Sequence, residues 1–306
     1  MGLSPDLFKR LSRLNRKFLR KSLATGDDLS PPEAGDRGDA SGAEPLALED
    51  VIPGEQREAF GGHFYMVRRP VREFETPHAG HADEGGGDLA SRYRRVFFGA
   101  GAAASPEELH EDLRPLAAAD PAAVTYLDIE TCGLAGEPLF LVGLLRFRDE
   151  TLLVEQFLAR DYSEEGPLLA AVRQELADTA CLVTYNGKTF DMPTVGARSL
   201  ACGLFDRPPA PDHVDLLFES RRRWKGVLPN CRLQTVEHHI CGRLRAGDIP
   251  GCDIPAAYHE FVRACRSEDP ARRTRSLRRL QTILHHNALD LLTLADLSAR
   301  MLSGTA

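Results

Sequence analysis

No stretch of this 306-residue chain approaches the roughly 20 consecutive apolar residues that a membrane-crossing helix needs, so the sequence offers no transmembrane segment. The N-terminus lacks the apolar core of a secretory signal. None of the seven cysteines stands in a C-x-x-C pair, and no internal repeat is visible. Without an export signal, free thiols in a reducing compartment are the simpler reading, and the expected location is cytoplasmic. The spacings of Cys231, His238, His239, Cys241 and Cys252 match no compact zinc pattern, and these residues read as small, semi-buried positions.

What is present describes a soluble globular protein: 42% hydrophobic and 27% charged residues. The length suits one good-sized domain with extra segments. A net charge of −7 looks wrong for a partner of nucleic acid, but its distribution matters more than its sum. Between Glu219 and Leu280 fourteen Lys and Arg face seven Asp and Glu, a local excess of +7 that leaves −14 for the rest of the chain. Within this segment Arg221, Arg222 and Arg223 precede the single tryptophan, Trp224, and Lys225 follows it. Such mixing suits phosphate contact and base stacking, and it equally suits a helix that packs through its tryptophan.

Residues 1–23 carry a basic amphipathic helix over 4–23, with Leu7, Leu11, Leu14 and Phe18 at helical spacing among Lys and Arg. It suits nucleic acid, an anionic membrane or a partner protein. Residues 24–95 read mostly as flexible linker with short strand-like pieces such as His63–Arg68. The ordered domain is expected over 96–303. It opens with a helix over Ser105–Ala118, followed by strands at Val124–Leu127, Leu139–Phe147 and Leu152–Leu158. A helix over Glu164–Ala177, a strand over Cys181–Tyr185 and a helix over Asp191–Cys202 come next. A strand at Val214–Leu217 precedes helices that end in a long one over Arg272–Met301. This order predicts an α/β fold with a mixed central sheet: an antiparallel hairpin first, then parallel crossovers.

Three motifs carry candidate chemistry. Asp128-Ile129-Glu130 ends an apolar strand, and alternation sends both carboxylates to one face. Charges in that position are costly unless paired or bound to a cation. In the second motif, Tyr185 to Pro193, a strand ends, the chain turns at Asn186-Gly187, and Asp191 opens a helix. In the third, His286 and Asp290 share a face of the last helix one turn apart, Asp290 standing among leucines. Alone, each has a bland reading: an acidic turn, a helix cap, a polar stripe. Together, four carboxylates from separate elements can hold two divalent cations roughly 3.5–4 Å apart. All-oxygen ligands suit Mg²⁺ or Mn²⁺, and a nearby histidine can serve as general base.

On these residues the chain resembles the DEDD group of ribonuclease H-like 3′–5′ exonucleases. Asp128 and Glu130 match its first motif; Asn186, Phe190 and Asp191 match its second; Asp290 matches its final Asp. Residues 122–302 are similar to the YprB-like ribonuclease H domain family through the runs LDIETCGL (127–134), LVTYNGKTFDMP (182–193), NCRLQTVE (230–237), GDIPGCDIP (247–255) and HNALDLLTL (286–294). The resemblance implies a ribonuclease H-like fold with a basic helical insertion, between Phe218 and Arg279, before the last helix. It implies a metal-dependent exonuclease acting on single-stranded DNA or RNA, with Asp128, Glu130, Asp191 and Asp290 as metal ligands. Asn186, Lys188 and Phe190 join the basic run as candidate nucleic-acid contacts. His285 has the spacing of the group's His subclass, whereas His286 stands where its Tyr subclass has Tyr; the two point about 100° apart on a helix. The other readings are a nucleic-acid-binding module that keeps the fold with weak or no catalysis, and a structural or adaptor role in which the N-terminal basic helix recruits partners.

Overall fold

The computed structural model describes residues 46–74, 88–99, 104, 107–133, 136–206, 210–245 and 247–304, and residues from Glu44 onward form one unit. The basic helix expected over 4–23 lies outside the described residues.

Seven strands build one mixed sheet. β1 (Glu55–Ala59) and β2 (Gly62–Pro70) form a hairpin. β3 (Val124–Thr131), β4 (Leu139–Arg148) and β5 (Thr151–Leu158) pair antiparallel in succession. β6 (Cys181–Thr184) and β7 (Asp212–Asp215) continue the sheet in parallel from β3. The order across it is β1-β2-β5-β4-β3-β6-β7. Asp149 and Glu150, both at positive φ, close β4 onto β5 through the two-residue turn whose twist matches antiparallel strands. The parallel steps need crossovers, which helices supply.

The helices are α1 (Leu89–Phe98), α2 (Arg114–Ala118), α3 (Glu165–Glu175), α4 (Asp191–Ala201), α5 (Leu216–Trp224), α6 (Ile254–Ala264) and α7 (Pro270–Ser303). Short helical turns stand at Leu48–Val51 and Leu233–Val236. One apolar cluster joins the sheet to α3, α4 and α6 through Leu168, Val195 and Tyr258. The other joins it to α1, α2 and α5 through Tyr93, Leu116 and Trp224. The 34-residue α7 belongs to both: Leu277, Leu280, Ile283 and Leu284 enter the first, and Ala288 to Leu302 enter the second.

Three expectations need correction. The segment read mostly as linker holds the expected strand piece His63–Arg68 within β2, but it is tied into the fold: β2 pairs along β5 from Tyr65 to Pro70, and Tyr93 of α1 is fully buried. Outer strand β1 is almost wholly exposed and rich in Glu, Gln and Arg, so it shows no alternating apolar signal. Over the described residues 107–118 the expected helix is reduced to a 3₁₀ turn at Glu111–Leu113 and the five residues of α2. Pro115 cannot donate within a continuous helix, and it sits instead in the first turn of a new one. The strand expected at 214–217 ends at Asp215, whose carboxylate accepts from Leu217 N–H and starts α5.

Candidate active site

β3 is an interior strand, so its first residues, Val124 to Leu127, are buried. At its C-terminal end Asp128 and Glu130 become partly exposed while Ile129 stays buried, which puts the two carboxylates on one face. Register sets Asp128 opposite Gly143 on β4, and Gly143 opposite Gln156 on β5. Over this row lies Asn287 of α7. Gln156 Nε2 donates to Asn287 Oδ1 at 2.9 Å, and Asn287 Nδ2 donates to Asp128 Oδ2 at 2.8 Å. Gln156 also donates to the Leu284 carbonyl at 2.7 Å. Two neutral amides thus orient one carboxylate.

Asp191 opens α4 and is 5% exposed. The turn before it needs its two residue types. Asn186 has φ of 67°, and a Cβ on Gly187 would stand 2.4 Å from Thr184 Oγ1. Asp215 accepts from Asn186 N–H at 2.7 Å and Lys188 N–H at 3.1 Å, tying this turn to the end of β7.

α7 supplies the rest. His286 Nε2 lies 3.4 Å from Asp290 Oδ2, and its Nδ1 lies 2.9 Å from each oxygen of Asp248. Ligand atoms of Glu130, His286 and Asp290 fall within 4.8 Å of one another. His285 turns away: its ring stacks on Phe74 at 6.1 Å, and Arg69 lies over the other ring at 4.7 Å. Arg245 meets Asp290 at 2.5 Å, Glu237 at 2.5 Å and Asp248 at 3.2 Å. Glu237 is buried and also accepts from Arg243 and Thr293.

The carboxylates sense one another. Burial pushes the Asp128 carboxyl well above its ordinary range, and the charges of Asp290, Glu130 and Asp191 push it further. Burial raises Glu130 to about 8, against an opposing pull from His286. Burial raises Asp191 to about 7, helped by Asp215 and Asp290. For His286, burial alone lowers the pKa, but the Asp248 hydrogen bond and the charges of Asp290 and Glu130 outweigh it and the net shift is upward. His285 is shifted downward, chiefly by burial.

The structure therefore gathers Asp128, Glu130, Asp191, Asp290 and His286, and sets His285 aside. It adds residues the sequence reading left out. Asp248 lies inside the run 247–255 that carries the family resemblance, and Asn287 inside 286–294; that membership was their signal. Arg245 had none, because an irregular segment brings it to the site.

The nucleic-acid candidates divide. Phe190 and Lys188 are exposed beside Asp191, and the Lys188 ammonium lies 5.8 Å over the ring of Phe218, which is also exposed. Asn186 is exposed at its turn, and Arg221 and Lys225 are exposed on and after α5. Trp224 is a correction: at 6% exposure it belongs to the second apolar cluster and offers no face to a base. Arg222 pairs with Glu219 and Asp112, and Arg223 with Glu219 and the Met301 carbonyl. Met301 is eleven residues beyond Asp290, or about 16 Å along the helix axis. Among the described residues, Cys231, His238, His239, Cys241 and Cys252 form no metal-binding group. No described helix is long and apolar enough to cross a membrane.

An antiparallel three-strand unit extended by two parallel strands, with acidic side chains on its central strand, defines an α/β domain of ribonuclease H type. Residues 125–302 match the family described as RNase_H superfamily, and the chain belongs to that superfamily. Its domain is YprB-like: over 180 residues it is 36% identical to "Uncharacterized protein YprB" of Bacillus subtilis (strain 168), a match covering 58% of this chain and 41% of that protein. The match thus spans less than half of the relative's length. A solved structure of the family B DNA polymerase from the hyperthermophilic archaeon Pyrobaculum calidifontis aligns with a TM-score of 0.44 and 18% identity, over 58% of this chain and 24% of that one.

Proposed function

We propose that this domain is a metal-dependent nuclease that hydrolyses single-stranded DNA or RNA from the 3′ end. The observation that carries the reading is the convergence of Asp128, Glu130, Asp191 and Asp290 beside His286. The donor set fits Mg²⁺ or Mn²⁺, being carboxylate oxygens with one imidazole at the edge. Burial and mutual repulsion hold three of the carboxyls above their ordinary pKa, a strain that divalent cations relieve. Two bound cations would supply Lewis acidity at the scissile phosphate.

The protein's own groups do the rest. Asn287 fixes one oxygen of Asp128, which leaves the other to act as a ligand. Asp248 accepts the Nδ1 proton of His286, so Nε2 is the atom left to take a proton from an attacking water. Phe190 and Lys188, exposed at the edge, suit stacking on a terminal base and contact with its phosphate.

One contact favours a second reading, a nucleic-acid-binding module on the same fold without catalysis. Arg245 reaches Asp290 and supplies one positive charge there itself. Cleavage of 5′-labelled single-stranded DNA and RNA with Mn²⁺ or Mg²⁺ decides between them. Shortening from the 3′ end that stops in Asp128→Asn supports the nuclease; binding without shortening supports the module.

A further inference from the structure

α7 carries five arginines between Ala271 and Leu289 and no acidic residue. That placement opposes helix stability. The N-terminal part of a helix favours negative charge, and like charges three or four residues apart repel. Arg272 is offset by Glu260, and Arg273 lines a cavity together with Glu49 and Cys265. Arg275, Arg278 and Arg279 are exposed and make no ion pair among the described residues.

At 100° per residue, Arg275, Arg279, Thr282, His286 and Asp290 fall within an arc of about 80°, and Arg278 flanks it. The stripe therefore continues into the face that carries the candidate active site. Asp290 lies about 16 Å along the axis from Arg279 and about 22 Å from Arg275. Those lengths correspond to about five to seven stacked nucleotides at 3.4 Å each. The register is fixed by packing, since Leu277, Leu280 and Leu284 are held in the first apolar cluster on the far side of the helix.

We propose that Arg275, Arg278 and Arg279 form a phosphate track that leads a single nucleic-acid strand along α7 to His286 and Asp290. The direction of the track rests on the nuclease reading, whereas its existence does not. The track deepens that reading by naming which part of the basic segment touches the backbone: the last helix, not the run around Trp224.

The test is the salt dependence of binding, read by fluorescence anisotropy of a labelled oligonucleotide of about 20 nucleotides, DNA and RNA in turn, in EDTA between about 50 and 200 mM salt. The full chain is compared with Arg275→Ala/Arg278→Ala/Arg279→Ala. The control is Arg57→Ala/Arg94→Ala/Arg148→Ala, which removes the same charge from the outermost strand and from the end of the sheet away from Asp128. Alanine is the strongest helix former, so the α7 variant should fold; Arg→Gln at the three positions is the second variant if it does not. The slope of log K against log salt should become shallower by about 2 for the α7 variant, from about 0.7 per phosphate contact, with the control like wild type. An unchanged slope, or an equal loss in the control, overturns the track. Mn²⁺-dependent cleavage is measured on the same samples. Cleavage with an unchanged slope removes the track alone. A shallower slope with no wild-type cleavage removes the nuclease reading and leaves the track standing.

Discussion

Asn287 lies directly over Gly143, so near that a Cβ on the glycine would stand 2.2 Å from Asn287 Oδ1 and 2.8 Å from Leu291 Cδ1. The missing side chain lets α7 approach the sheet closely enough for one amide to bridge Gln156 and Asp128. Gly143→Ala should therefore destabilise the domain by about 1–3 kcal/mol through overpacking. It should also lower activity by pushing Asn287 off Asp128. Urea denaturation of the purified variant measures the first effect, and a change within about 0.5 kcal/mol would show that the helix yields freely.

Replacing Asp128 by Asn removes a buried charge that its neighbours oppose, and keeps the acceptor for Asn287. The metal-free variant should melt at a higher temperature than wild type near pH 8, while cleavage falls at least about 100-fold, or about 2.7 kcal/mol of barrier. A variant that melts lower than wild type in EDTA would show that the carboxylate is well satisfied without metal.

The cluster also sets a pH dependence. Glu130 and Asp191 have folded pKa values of about 8 and about 7, against ordinary values near 4.5 and 3.8. Inside that window the folded state binds more protons than the unfolded chain, so their contribution to stability falls as pH rises. In EDTA the melting temperature should drop between pH 5 and pH 8 more steeply in wild type than in Glu130→Gln. Added Mn²⁺ should reverse the trend, because binding requires the deprotonated carboxylates and releases protons. A metal-induced shift in melting that is as large at pH 5 as at pH 8 would contradict this.

Asp248 holds the far side of His286. Asp248→Asn should reduce the cleavage rate about 10–100-fold, as loss of a histidine's supporting carboxylate does, with little change in oligonucleotide affinity. Loss of affinity at an unchanged rate would instead make Asp248 a substrate contact.

Trp224 fills the apolar cluster between α5 and the sheet. Trp224→Ala should cost about 3–5 kcal/mol of stability. Near its own folding midpoint it should lose binding only as it loses structure. A fully stable variant with weakened binding would restore Trp224 to the nucleic-acid surface.

The core of the fold was legible because its strands are interior. Val124–Leu127, Leu139–Phe147 and Cys181–Thr184 are apolar runs bounded by turns, and Asp149-Glu150 marks the reversal between β4 and β5. The outer hairpin was harder to read, since β1 buries almost nothing and leaves its pairing to backbone hydrogen bonds. At the site, the four carboxylates could be picked out because each sits in a local motif at the end of a strand or on a helix. Arg245 had no such motif and Asp248 only its place in the run 247–255, since their contacts with Asp290 and His286 span 45 and 38 residues of chain, α6 included, and exist only after folding. Helical geometry separates His285 from His286 but does not say which faces the sheet; Phe74, far away in sequence, takes up the first.

Because α7 anchors both apolar clusters and also carries His286 and Asp290, the order of synthesis matters. A chain still emerging from the ribosome displays Asp128, Glu130 and Asp191 long before their fourth partner exists. Any copy interrupted ahead of residue 290 lacks the C-terminal part of the helix that covers its sheet as well as the group that completes its acidic cluster. On the nuclease reading, the competence to cut arrives together with the competence to fold.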